Sequence, residues 1–175
     1  MVKINMMCGK RNFGPDWVHI DMVNMPHINS KNIYLPECEY EDESVDLIYC
    51  SHGIAYFDRE EIIPLLQAWK RALKPGGVLR IATTDWDVTR NFTPPVVGPL
   101  YGRMKVNNGY VYHKTIYSFS DLTELLSTHG FTNIHKYNHA LTEHPNTGNR
   151  ADKYDDHSAA YINDILISLN VECNA

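Results

Sequence analysis

Apolar residues recur along this chain in short bursts divided by polar, proline-rich or glycine-rich stretches. Residues 3–7 (KINMM), 17–20 (WVHI), 32–35 (NIYL) and 45–50 (VDLIYC) have strand length, and the last is apolar enough for a strand buried on both faces. After Asp58 the period changes. Ile62, Ile63, Leu65, Leu66, Trp69 and Leu73 recur at helical spacing, which predicts a helix over 58–73 capped by Asp58. Pro64 removes a backbone donor, so regular helix is expected from about Ile63 with a looser turn before it. Lys74, Pro75, Gly76 and Gly77 then stop the helix and turn the chain. Residues 77–84 (GVLRIATT) read as a central strand, and 131–137 and 164–173 as two more. Ser118 or Ser120 can cap a helix ending at Gly130, with Leu122, Leu125 and Leu126 on one face. Residues 91–112 are rich in Pro, Gly and Asn without a period, which marks a lid candidate, and 138–161 are polar. Strand and helix in alternation predict a parallel sheet in one α/β domain over 1–175.

Composition narrows the partners. The 175 residues, 43% hydrophobic, can build a self-sufficient core. A formal charge of −5 disfavours a long nucleic-acid track and favours small molecules or proteins. No run approaches the roughly 18 apolar residues that span a membrane. Cys8, Cys38, Cys50 and Cys173 show neither a CxxC pair nor a framework spacing, which predicts a reducing, cytoplasmic setting. They read as small buried hydrophobes, although Cys8, close to Lys10 and Arg11, has a setting for a lowered pKa.

In an open parallel sheet, ligands bind outside the carboxyl ends of the strands. Cys8 and Gly9, Asp21, Leu35 and Pro36, Ser51 and His52, and Asp85 each follow a predicted strand and are expected to gather on that edge. Gly9 lets the backbone approach a ligand, and Asp21 can accept hydrogen bonds from two ribose hydroxyls. Asp21 follows Gly9 by only twelve positions, whereas a dinucleotide fingerprint needs three glycines and an acid about 20 residues on. NAD is thereby disfavoured.

Three stretches, "INMMCGKRNFGPDWVHID", "LP…EDESVDLIYCSHGIAYF" and "LLQAWKRALKPGGVLRIATTDWD", resemble in order the class I S-adenosylmethionine-dependent methyltransferases, most nearly a small bacterial subgroup. The tail, "YHKTIYSFSDLTELLSTHGFTNI" and "DDHS…ISLNVEC", is similar to that subgroup too. The resemblance implies a Rossmann-like three-layer sandwich. Its mostly parallel sheet would have about seven strands, ending in a C-terminal antiparallel hairpin. It also implies that Cys8 and Gly9 end the glycine motif, Asp21 is the ribose-binding acid, Ser51 and His52 lie beside the cofactor, and the Leu35 backbone lies near the adenine. This chain departs from the pattern in three places. Met7 stands where the family has its first glycine, residues 9–15 leave almost no room for a first crossover helix, and Ala55 and Tyr56 stand where many relatives have Glu-His.

Methyl transfer from a sulfonium needs alignment of the acceptor and sometimes a base. His52, Asp85 and His113 are the candidates for that base, each weighed against a tethering role. A metal is not expected. His135 and His139 on one strand would stand about 13 Å apart at roughly 3.3 Å per residue, and His144, Asp155, Asp156 and His157 have no ligand spacing. Tyr101, Tyr110, Tyr112 and Tyr117, in or just after the lid candidate, could touch substrate or anchor the loop. The expectation is methyl transfer to a small or carbohydrate-like acceptor. The alternatives are cleavage of S-adenosylmethionine and a non-catalytic interaction module. A homo-oligomer is compatible with the shortened helix layer.

Overall fold

The computed structural model describes residues 1–37, 39–106, 109–142 and 160–175. Its first half runs β1 (Lys3–Met6), β2 (Val18–Ile20), β3 (Val45–Ser51), α1 (Ile62–Ala72) and β4 (Leu73–Thr84). Short helices α2 (Trp86–Thr89) and α3 (Gly98–Tyr101) lead to strands β5 (Met104–Val106) and β6 (Gly109–Val111). Then come α4 (Phe119–Thr128), β7 (Thr132–Lys136), β8 (Tyr161–Ile162), β9 (Ile165–Leu166) and β10 (Ser168–Asn174).

The main sheet has six strands in the order β2-β1-β3-β4-β10-β7. The four on the β2 side are parallel, and β10 runs antiparallel to both β4 and β7. The expected strand over 32–35 does not form. Asn32 bends the segment into a turn, its carbonyl accepting from the Leu35 amide and its side chain from the Tyr34 amide, and Leu35 is left-handed at φ 46° before Pro36. Only an isolated bridge from Ile20 to Ser30 flanks β2. The expected strand over 164–173 is broken as well. Asn163 and Asp164 both have positive φ and make the two-residue turn between β8 and β9, so the sheet strand starts at Ser168.

Helix α1 starts at Ile62, so Pro64 sits in the first turn, where its missing N–H costs nothing. Asp58 does not cap α1, whose N-cap position is Glu61; it accepts from the Glu60 and Glu61 amides at 2.9 Å each in the turn before the helix, and its own amide donates to Glu61 Oε2 at 2.9 Å. At the other end the helix passes directly into β4, whose pairing with β3 shifts register between Val45 and Leu47, where Gly76 turns at φ 74°. Ser118, rather than Ser120, caps α4.

Register separates two unlike sheet faces. Ile4, Ile48, Leu79 and Cys173 align across the strands, as do Met6, Cys50, Ile81 and Val171; all are buried in one cluster with Leu65, Leu66 and Trp69 of α1 and Leu122 and Leu126 of α4. The opposite face carries the row Asn5, Tyr49, Arg80 and Glu172. Both long helices thus pack on one face, not on two as a three-layer sandwich requires. The β1–β2 connection has no helix; its Phe13 and Trp17 cover Leu47, Tyr49 and Val78 instead. Among the described residues, no helix is long and apolar enough to cross a membrane.

Candidate cofactor site

The carboxyl ends of β1, β2, β3 and β4 lie on one edge, and strand order diverges between β1 and β3, the switch point at which such sheets bind ligands. Beyond β1 the Cys8 amide bonds to the Ile20 carbonyl at 3.4 Å, which sets Gly9 beside Asp21. The buried Asp21 carboxylate accepts from the Gly9 amide through Oδ2 (2.8 Å) and from the Val23 amide through Oδ1 (2.9 Å). An ionised carboxylate has about four acceptor positions, so two remain for ligand hydroxyls. A Cβ built at Gly9 meets nothing within 4 Å, so the flank of this turn is open. These features fit the ribose of a nucleoside cofactor.

His27 was not singled out by sequence; a lone histidine in a polar stretch carries no signal. Its Nε2 lies 3.0 Å from the Gly9 carbonyl and 3.9 Å from Cys8 Sγ, and its ring meets His19 edge-on at 5.4 Å. His19 Nε2 accepts from the Phe13 amide at 2.8 Å, and burial, with His27 beside it, lowers the His19 pKa. Cys8 differs from expectation. Burial, reinforced by the Asp21 charge, pushes its thiol up to about 12, outweighing Arg11.

Met7 has φ 52°, the left-handed backbone that explains the glycine of the resembling family. Its Sδ and Cε lie against Gly53, where an added Cβ would come within 2.9 Å of each. Ser51 ends β3 with its Oγ buried and without a hydrogen-bond partner among the described residues. His52 follows, also left-handed at φ 54°; its amide bonds to the Ala82 carbonyl (2.7 Å) and its Nε2 lies 3.3 Å from Ser168 Oγ. The sequence held a signal for Ser168 in the ISLN segment of the tail.

Leu35 is not on this edge. Its carbonyl accepts from the Arg71 guanidinium, and the neighbouring Ile33 carbonyl accepts from Trp69 Nε1 at 2.8 Å. Both donors sit in the last turn of α1, beside the amino ends of β3 and β4. With no strand over 32–35, nothing carries Leu35 across the sheet. Asp85 is at the edge but serves as the cap of α2, accepting from the Asp87 amide at 2.9 Å, with Lys136 Nζ 3.9 Å from Oδ2. His113 holds the lid candidate down. Its ring fills the space beside Gly102 and packs edge-on to Tyr56 at 4.7 Å, and the Tyr56 hydroxyl donates to the Gly102 carbonyl. Burial lowers the His113 pKa, and its Nδ1 has no partner among the described residues.

No group of three or more His, Cys, Asp or Glu among the described residues could hold a metal. His135 lies on exposed β7 and His139 in a short turn against Tyr161. Cys38, His144, Asp155, Asp156 and His157 lie outside the described residues.

A family model described as a methyltransferase domain matches residues 10–81. No curated protein matches the chain. Among solved structures, the chain is similar to an S-adenosylmethionine-dependent methyltransferase from Mesorhizobium loti, at 15% identity and TM-score 0.55, over 99% of this chain and 90% of that one. A methyltransferase from Archaeoglobus fulgidus matches at 12% and 0.55, over 99% and 86%. The 1,6-didemethyltoxoflavin-N1-methyltransferase of Burkholderia thailandensis, solved with 1,6-didemethyltoxoflavin and S-adenosylhomocysteine bound, matches at 11% and 0.56, over 99% and 70%. At these identities the likeness is one of fold. The matched methyltransferase domain spans residues 10–81, under half of the chain, and the chain as a whole shares the fold of S-adenosylmethionine-dependent methyltransferases.

Proposed function

We propose that this chain transfers the methyl group of S-adenosylmethionine to a small or carbohydrate-like acceptor. The observation that carries the reading is the Asp21 carboxylate, fixed by the Gly9 and Val23 amides beside an open glycine turn at the switch point of the sheet. When bound, the cofactor supplies an electrophilic methyl on a sulfonium. Asp21 then receives the ribose hydroxyls on its remaining lone pairs, and the buried Ser51 Oγ offers a further polar contact. His52 is the base we assign, with Nε2 oriented by Ser168. Asp85 and His113 act by holding α2 and the 91–117 segment in position, a role supported by their bonds to neighbouring backbone and rings.

The test is calorimetric titration of S-adenosylmethionine and S-adenosylhomocysteine. Micromolar binding, about −8 kcal/mol, is expected, and Asp21→Ala should weaken it by about 1.5–3 kcal/mol, the size of a hydrogen bond to a charged group. Product analysis separates methyl transfer from cleavage of the cofactor. One observation favours a non-catalytic interaction module instead: the Met7 side chain packs against Gly53 where the family keeps a bare glycine. Absence of heat, together with no thermal shift, would mean that the site is closed or needs a partner to complete it, and would put that second reading first.

A further inference from the structure

Residues 88–120 contain four cations, Arg90, Arg103, Lys105 and Lys114, and no carboxylate, in a chain with 16 Lys and Arg against 21 Asp and Glu. Two of the four are neutralised from outside the stretch: Arg90 by Asp87 at 3.2 Å and Lys114 by Glu61 at 2.6 Å. Arg103 and Lys105 have no ion-pair partner among the described residues. Both are exposed on the β5–β6 hairpin. Lys105 stands opposite Tyr110, and the Arg103 guanidinium carbon lies over the Tyr110 ring, 4.2 Å from its centroid. Alternation turns Met104, Val106 and Val111 to the other side, where they are half-buried. One face of the hairpin is therefore cationic and aromatic, with Tyr110 51% and Tyr112 47% exposed.

The hairpin is rooted at the edge that holds Gly9, Asp21 and His52. Thr84 Oγ1, at the carboxyl end of β4, donates to the Pro99 carbonyl (3.3 Å), the His113 amide to the Tyr101 carbonyl (2.8 Å), and the Tyr56 hydroxyl to the Gly102 carbonyl.

We propose that this face binds the methyl acceptor and that the acceptor is a small ring compound bearing an anionic group, a phosphate or a carboxylate. The assignment of that ligand as the acceptor rests on the methyl-transfer reading. A guanidinium stacked on one ring can present its edge N–H groups to an anionic group while the tyrosine faces take up the ring that carries it. A long polyanion is a poor occupant. Two cations neutralise only two charges, and beyond a Debye length of about 8–10 Å a strand would run over the acidic remainder of the protein.

The test titrates uridine 5′-monophosphate, glucose 6-phosphate and 4-hydroxybenzoate, each beside its neutral parent, into the full chain with and without S-adenosylhomocysteine, reading backbone amide shifts of 103–106 and 109–112. At least one anion should bind tenfold or more tightly than its parent. Arg103→Ala should weaken that anion about tenfold and Arg103→Lys less, because the charge stays and the planar stack is lost, with affinity for S-adenosylhomocysteine unchanged. Equal affinity for anions and parents, an unchanged anion affinity in Arg103→Ala, or binding of an oligonucleotide alone would overturn the proposal. Anion binding without any S-adenosylhomocysteine binding would keep the surface and refute the methyl-transfer reading, so the two failures are distinct.

Discussion

Met7 and Gly53 are a coupled pair. Gly53→Ala would bring a Cβ to 2.7 Å from Cys50 Sγ and 2.8 Å from Met7 Cε, so it should destabilise by about 1–3 kcal/mol in denaturant unfolding. Met7→Gly removes one of the two clashes and a left-handed side chain, so in the double variant part of that loss should return. Additive losses would show that the two do not interact. The sequence marked Met7 as a departure but could not show its conformation, because a methionine codon does not announce positive φ. Cys8 illustrates a different limit. Its cationic neighbours in sequence suggested a reactive thiol, while burial depends on tertiary packing and dominates. With Cys8, Cys50 and Cys173 all pushed up to about 12 by burial, none should react with iodoacetamide in the native protein at pH 8; site-resolved mass spectrometry after a short exposure reads this directly.

At the scale of elements, the start of α4 was legible because a side chain reaches its own backbone there. Ser118 and Asp121 form a reciprocal capping box, with the Asp121 amide donating to Ser118 Oγ at 3.1 Å and the Ser118 amide to Asp121 Oδ2 at 3.0 Å. The Ser118 hydroxyl, and then its amide, hold the Asp121 carboxyl below the usual carboxylate range. A depressed folded pKa gives stability that is present above the unfolded value, about 3.9, and lost as pH falls through the folded one. Asp121→Ala should thus cost about 1 kcal/mol at pH 7 and progressively less below pH 4, measured by denaturant unfolding across that range. Docking of residues 98–106 should respond to pH in a higher window. His113 sits neutral against Tyr56 and the Pro99 and Leu100 carbonyls, its pKa lowered by burial, whereas an undocked histidine titrates near 6.5. Below that value undocking takes up a proton, so amide exchange over 98–106 should quicken beyond its intrinsic pH trend between pH 7 and 5, and lose this extra dependence in His113→Phe. The short elements Gly98–Tyr101, Met104–Val106 and Gly109–Val111 escaped sequence reading because three- and four-residue pieces complete no period.

For the whole molecule, alternation of strand and helix was enough to place four of the five expected strand ends on one edge, because parallel strands share a direction. Leu35 fell elsewhere for a local reason: a turn at Asn32 and a left-handed residue before proline replaced the strand that would have carried it. The one-sided helix layer was half legible. The short β1–β2 connection was visible as a count of residues, but that Phe13 and Trp17 would cover the Leu47 and Tyr49 face depends on packing that no spacing reveals. Because Asp21 ties the β1 turn to the end of β2, ligand binding there should be coupled to global stability rather than to a loop alone. S-adenosylhomocysteine at 100 times its Kd should add about 2.7 kcal/mol to unfolding, which for a chain of this length raises Tm by roughly 5–10 °C. Asp21→Asn removes the charge and turns one accepting oxygen into an NH2 that cannot accept from the Gly9 or Val23 amide, so its apo Tm and its ligand-induced shift should both fall. A variant whose apo Tm collapses while its shift stays whole would assign Asp21 to holding the turn and leave the ribose to other groups.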